Sequence, residues 1–138
     1  MSGILQSLTD DVPWIAVIDD EASVRRSLAR VFKANDIRAE CFSSAEEYLQ
    51  RSSLSEPQCI LLDVELPGGL NGPDLKDRLL DDGVCPPIVF MTGQDEIRPA
   101  LLVRSPELNS CLRKPFEMSR LLARVRPHLQ TATAGQLM

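Results

Sequence analysis

The sequence predicts an α/β domain, a parallel sheet covered by helices on both faces. Three observations point there. Short apolar runs rich in β-formers recur without polar alternation, as expected of strands buried on both sides. Segments with helical apolar spacing separate them. The alternation of the two repeats five times, the pattern of parallel strands joined by crossover helices.

Residues 1–13 read as a short polar lead ending at Pro13. WIAVID (14–19) is the first strand, and ASVRRSLARVFKA (22–34) follows as a helix with Val24, Leu28, Val31 and Phe32 on one face. IRAECF (37–42) is a strand in which Ile37, Ala39 and Cys41 alternate with polar residues. SAEEYLQR (44–51) is helical, with Ser43 or Ser44 as N-cap. CILLD (59–63) is the third strand, and GPDLKDRLLDD (72–82) is a helix with Pro73 in its first turn. PIVFMT (87–92) is the fourth strand. Residues 95–104 form a helix kept short or irregular by Pro99 and Pro106. SCLR (110–113) is a fifth strand, and EMSRLLARVRPHLQ (117–130) is the last helix, interrupted late by Pro127. The tail 131–138 has no strong preference. The expected division is thus a lead 1–13, one domain 14–130 and a tail 131–138.

A chain of 138 residues suits one compact domain with a real core. The net charge of −5 argues against direct binding to nucleic acid, which needs a cationic surface. The charge is uneven: residues 1–103 carry 9 basic and 18 acidic side chains, residues 104–138 carry 6 and 2. The basic end is either a solvated helix face or a docking surface for an acidic partner. Cys41, Cys59, Cys85 and Cys111 form no CxxC pair, and His128 is the lone histidine, so a zinc site is not expected. Cys41 and Cys59 sit in apolar runs and read as small core residues. No signal peptide and no apolar run of membrane-spanning length is visible, which gives the expectation of a cytoplasmic protein with reduced thiols and no membrane partner.

The chemistry lies where the strands end. The first runs into Asp19-Asp20-Glu21, the third ends at Asp63, the fourth at Thr92-Gly93, and the fifth leads to Lys114-Pro115. In a parallel sheet all these ends share one edge, the edge that carries the ligand site. Each residue alone has an ordinary structural reading, Asp20 as the N-cap of the next helix and Thr92 as a β-branched strand end. Together they supply three carboxylates, a hydroxyl and an ammonium. Close carboxylates repel, and a hard divalent cation such as Mg²⁺ relieves the repulsion. A strand-end carboxylate at Asp63 can attack phosphorus. Lys114 can offset charge on the transferred group, and the Thr92 hydroxyl can bond a phosphoryl oxygen once the group is present.

With VIDDE (17–21), ILLDVELPG (60–68), VFMTG (89–93) and LRKPF (112–116) at this spacing, the chain resembles the receiver domain of two-component response regulators over residues 14–130. The resemblance implies a flavodoxin-like doubly wound sheet of five parallel strands in the order 2-1-3-4-5 with five helices. It implies that Asp63 is the phosphoacceptor, and that Mg²⁺ is held by Asp19, Asp20, Asp63 and the backbone carbonyl of Glu65. Thr92 and Lys114 then match the switch hydroxyl and the phosphate-contacting lysine, and Pro115 a proline that often follows a cis bond. The implied partners are a histidine kinase or histidine phosphotransfer protein and a downstream protein target. A phosphorylation-dependent homodimer is left open, and no enzyme activity is expected beyond the domain's own phosphorylation and dephosphorylation. The spacing looks most like receivers joined to a helix-turn-helix output domain.

The chain departs from the family pattern at three places. Cys111 stands where the readout side chain, three before Lys114, is usually aromatic. PELNS (106–110) replaces a common Gly-Ala stretch, so the fourth helix is expected to be remodelled. The loop PGGLNG (67–72) has an extra glycine, which either loosens the loop or only lengthens it. Glu65, two after Asp63, either changes water attack on the phosphoryl group or is a solvated loop acid. Two other classes compete: a receiver-like adaptor that acts without phosphate, and an aspartyl-nucleophile phosphatase. The second usually carries its nucleophile on the first strand.

Overall fold

The computed structural model describes residues 12–52 and 55–137, with side chains to residue 129. The elements run β1 (Trp14–Ile18), α1 (Ala22–Ala34), β2 (Arg38–Phe42), α2 (Ala45–Leu49), β3 (Cys59–Asp63), α3 (Gly72–Asp81), β4 (Ile88–Thr92), α4 (Pro99–Arg104), a 3₁₀ turn (Pro106–Ser110), β5 (Leu112–Arg113) and α5 (Met118–Leu137). The strands form one sheet in the order β2-β1-β3-β4-β5, and every neighbouring pair is parallel.

The uninterrupted apolar runs have the expected cause. All five residues of β1 and of β3 are buried. Alternate side chains feed two cores. Trp14, Ala16, Ile18, Ile60, Leu62 and Phe90 pack on the side of α2, α3 and α4. Ile15, Val17, Cys59, Leu61, Val89 and Met91 pack against Leu28 and Phe32 of α1 and Leu121 and Val125 of α5. Edge strand β2 is covered less, which is why its pattern alternates.

Local signals set several boundaries. Ser44 caps α2, its hydroxyl accepting from the Glu47 N–H at 3.0 Å. Asn71 and Asp74 form a capping box on α3, with Pro73 in the first turn.

Four expectations need correction. SCLR contributes only Leu112 and Arg113 to β5, because Pro106–Ser110 coil into a 3₁₀ turn. The fourth helix is short as expected, but it starts at Pro99 and not at residue 95, running Pro99–Arg104 with Ser105 ending it. The last helix runs through Pro127 to Leu137, so the tail 131–137 is helical. A helical Pro removes one donor and strains the preceding turn without always ending the helix. Cys59 is a core residue, but Cys41 is only partly buried, as its place on the edge strand dictates. The lead lies outside the described residues except for Val12 and Pro13.

Candidate phosphoacceptor and metal site

Pairing of Ile18 with Leu62 places the next residues, Asp19 and Asp63, side by side at the carboxyl edge of the sheet. Both continue the alternation that faces α1 and α5, as does Lys114 one residue beyond β5. That parity brings three distant segments to one point. Lys114 Nζ lies 2.5 Å from Asp19 Oδ2 and 3.2 Å from Asp63 Oδ2. Asp19 is fully buried and Asp63 is 3% exposed, whereas Asp20 is exposed.

Backbone donors hold both buried carboxylates. Glu21 N–H donates to Asp19 Oδ1 at 2.9 Å, and Glu65 N–H donates to Asp63 Oδ1 at 2.9 Å. Burial pushes the Asp63 carboxyl up to about 6, against the Glu65 N–H and the Lys114 charge, which pull it down; the Asp19 charge adds to the rise. For Lys114 burial works the other way, but the Asp19 hydrogen bond and the charges of Asp63 and Asp19 leave its pKa raised. The lysine is therefore a cation at neutral pH, and the Asp63 carboxyl loses its proton near the lower edge of the physiological range.

Carboxylate oxygens of Asp19, Asp20 and Asp63 all lie within 4.8 Å of one another. Hard oxygen donors at that separation, one exposed to water, fit a small divalent cation that keeps part of its hydration. A residue's main chain also crowds this place. A Cβ on Gly72 would stand 2.6 Å from the Asp63 carbonyl oxygen and 3.2 Å from the Phe90 ring, so only glycine lets α3 start so close to the acid.

A family model described as the response regulator receiver domain matches residues 15–126. The chain belongs to that family. The receiver is 34% identical to nodulation protein W of Bradyrhizobium diazoefficiens over 108 residues, 78% of this chain and 47% of that protein. It is 30% identical to the response regulator TodT of Pseudomonas putida over 128 residues, 93% of this chain and 56% of that one. The chain thus spans about half the length of the curated relatives it matches. Among solved structures, a response regulator receiver protein from Burkholderia phymatum is 33% identical, with a TM-score of 0.68 over 86% of this chain and 95% of that one. One from Pseudoalteromonas atlantica superposes with a TM-score of 0.73 at 22% identity, covering 87% and 99%, and shares the fold.

The receiver's other expected residues lie around this cluster, but not all touch it. Thr92 is fully buried, and its hydroxyl accepts from Gln94 N–H at 3.1 Å. Among the described residues that hydroxyl has no bond to the carboxylates. Lys114 N–H donates to the Thr92 carbonyl at 2.8 Å, which ties the two positions through the main chain. The Lys114–Pro115 bond is cis. Glu65 meets the site through its backbone N–H. Cys111 lies away from the cluster, in a groove of about 540 Å³ that also carries Arg113, Arg120 and Arg124.

Three contributors escaped the sequence reading. Arg25 on α1 donates to the Asp19 carbonyl at 2.6 Å. Gly72 makes room for the Asp63 backbone. Glu46 on α2 accepts from the Leu70 N–H at 2.7 Å. Helical arginines and first-turn acids are common, and nothing in a single sequence marks these as neighbours of a strand end.

Proposed function

We infer that this chain is a phosphoacceptor switch in which Asp63 takes a phosphoryl group from a phosphohistidine, in a Mg²⁺-dependent step. The observation that supports this best is the convergence of Asp19, Asp20 and Asp63 with the Lys114 ammonium at the carboxyl edge of the sheet. A carboxylate oxygen of Asp63 attacks phosphorus, the phosphorus–nitrogen bond to the donor imidazole breaks, and the imidazole keeps the electron pair. The Glu65 N–H and Lys114 hold the Asp63 carboxylate in a fixed orientation for that attack. Lys114 then exchanges a carboxylate for a phosphoryl oxygen. Asp19, Asp20, Asp63 and the Glu65 carbonyl would hold Mg²⁺, which when bound supplies positive charge to the phosphoryl oxygens.

The donor is a histidine kinase or histidine phosphotransfer protein, approaching over α1 and the turn after β5. There Val24, Leu28, Phe116 and Met118 line a groove of about 410 Å³ that reaches Lys114. The acyl phosphate carries about −1.5 to −2 charges at neutral pH, and that change alters contacts with a downstream protein or a second copy. Thr92 is the hydroxyl placed to sense it, by exchanging its Gln94 bond for one to the phosphoryl group. Residues 14–130 act as the receiver unit. Among the described residues no helix is long and apolar enough to cross a membrane. We place the protein in the cytoplasm, where its free cysteines would stay reduced.

Cys111 favours a second reading, a receiver-like adaptor, because a thiol in the readout position cannot act as an aromatic ring does. Incubation with Mg²⁺ and acetyl phosphate, read by intact mass, separates the two. Gain of one phosphoryl group by the parent but not by Asp63→Asn supports the switch. No gain, with Mg²⁺ shown to bind, supports the adaptor.

A further inference from the structure

The loop from β3 to α3 carries the Glu65 carbonyl and the additional glycine, and its path is not set by its own backbone alone. Main-chain bonds close its two ends: Val64 N–H donates to the Met91 carbonyl at 2.9 Å, and Gly72 N–H to the Val64 carbonyl at 3.1 Å. Gly68 makes the bend at φ +89°, a conformation that a side chain disfavours. Among the described residues, one hydrogen bond reaches the middle of this loop from another element. It runs from Leu70 N–H to Glu46 Oε2, 2.7 Å apart and 24 residues away in sequence.

Glu46 is placed for this by its helix. It stands in the first turn of α2, where a negative charge is favoured by the unpaired N–H groups. Ser44 and Glu47 complete the capping of that turn, which leaves the Glu46 carboxylate free to point at the loop. The Leu70 N–H holds the Glu46 carboxyl below its ordinary range.

The carboxylate also fills the space beside Gly69. A Cβ there would lie 2.1 Å from Glu46 Oε2 and 2.9 Å from its Cδ. An alanine at 69 and a carboxylate in this position exclude each other. Gly69 therefore leaves room for the carboxylate that bonds Leu70, whereas Gly68 only makes the bend, and the loop is lengthened without being set free.

We propose that Glu46 is a positioning residue for the phosphoacceptor site, holding the β3–α3 loop through Leu70 and Gly69 so that the Glu65 carbonyl is preset for the cation. The inference rests on the reading of Asp63, Asp19 and Asp20 as the metal-binding acceptor site. Glu46 itself touches none of those carboxylates. It acts through the loop.

The test uses Glu46→Ala, Glu46→Gln, Gly69→Ala and the Glu46→Ala/Gly69→Ala double variant of the full chain. Mg²⁺ affinity is read by calorimetric titration, Leu70 amide exchange by NMR, stability by urea unfolding, and phosphoryl uptake by intact mass. Residues that orient metal ligands at one remove commonly change metal affinity by tenfold or more, and this one stands further off. Glu46→Ala is expected to weaken Mg²⁺ binding about 3- to 10-fold and to speed Leu70 exchange by at least that factor. Glu46→Gln keeps an acceptor oxygen and should stay within about twofold of the parent. Gly69→Ala should match Glu46→Ala, and the double variant should be no worse than either, because each breaks the same contact. Loss of stability in Glu46→Ala with unchanged Mg²⁺ affinity overturns the proposal, leaving Glu46 a helix-capping residue. Additive effects of the two single changes overturn it as well. A parent that binds Mg²⁺ but takes up no phosphoryl group refutes the transfer reading alone, since affinity and exchange still decide the tether.

Discussion

Replacing Asp63 by asparagine should make the metal-free protein more stable at neutral pH, although it removes the central residue of the site. Burial raises the Asp63 carboxyl from its ordinary 3.8 to about 6. The folded state therefore binds a proton that the unfolded state has released between roughly pH 4 and pH 6, and stability falls as pH rises through that window. Two pH units correspond to about 3 kcal/mol, present in full above pH 6, for a side chain only 3% exposed. Asparagine keeps an oxygen for the Glu65 N–H and carries no charge. Urea unfolding in EDTA should show Asp63→Asn ahead of the parent by about 2–3 kcal/mol at pH 7.5, with the two converging near pH 4. Saturating Mg²⁺ should stabilise the parent more than the variant and narrow the gap. A gap that does not change with pH, or a parent that is the more stable at pH 7.5, refutes the claim that Asp63 is strained by its burial.

Other expectations follow from the same geometry. Lys114→Ala removes the cation beside Asp19 and Asp63, so the Asp63 carboxyl should titrate above its present value of about 6, read by carboxyl carbon NMR. Gly72→Ala forces a methyl group against the Asp63 carbonyl and the Phe90 ring, at a cost of about 1–3 kcal/mol in urea unfolding and with slowed phosphoryl uptake. Phe32→Ala, deep between α1 and the sheet, should cost about 3–5 kcal/mol and leave the acceptor chemistry of the folded fraction intact. Arg104 bridges Asp74 and Asp77 in an exposed position, so Arg104→Ala should cost under about 1 kcal/mol, with the loss vanishing at high salt.

The sequence carried the sheet because burial on both faces writes itself into WIAVID, CILLD and PIVFMT as unbroken apolar runs. It carried Asp19, Asp63 and Lys114 because strand ends of a parallel sheet must share an edge. Where local preference and tertiary packing disagree, it misled. Pro127 signals a break, yet α5 runs on through Leu129, Ala132 and Ala134 to Leu137, and Ser110 and Cys111 lie outside the strand their neighbours form. The Glu46–Leu70 bond was illegible for a different reason. It joins a helix start to a loop 24 residues on, through one hydrogen bond with no periodic trace in the sequence.

The most direct test of the account locates the phosphoryl group itself. The protein is treated with Mg²⁺ and acetyl phosphate, reduced with borohydride, which converts an aspartyl phosphate to homoserine, and mapped by peptide mass. The account predicts homoserine at position 63 alone, dependent on Mg²⁺. Modification centred on Asp19 or Asp20, or none in protein that binds Mg²⁺, would contradict it.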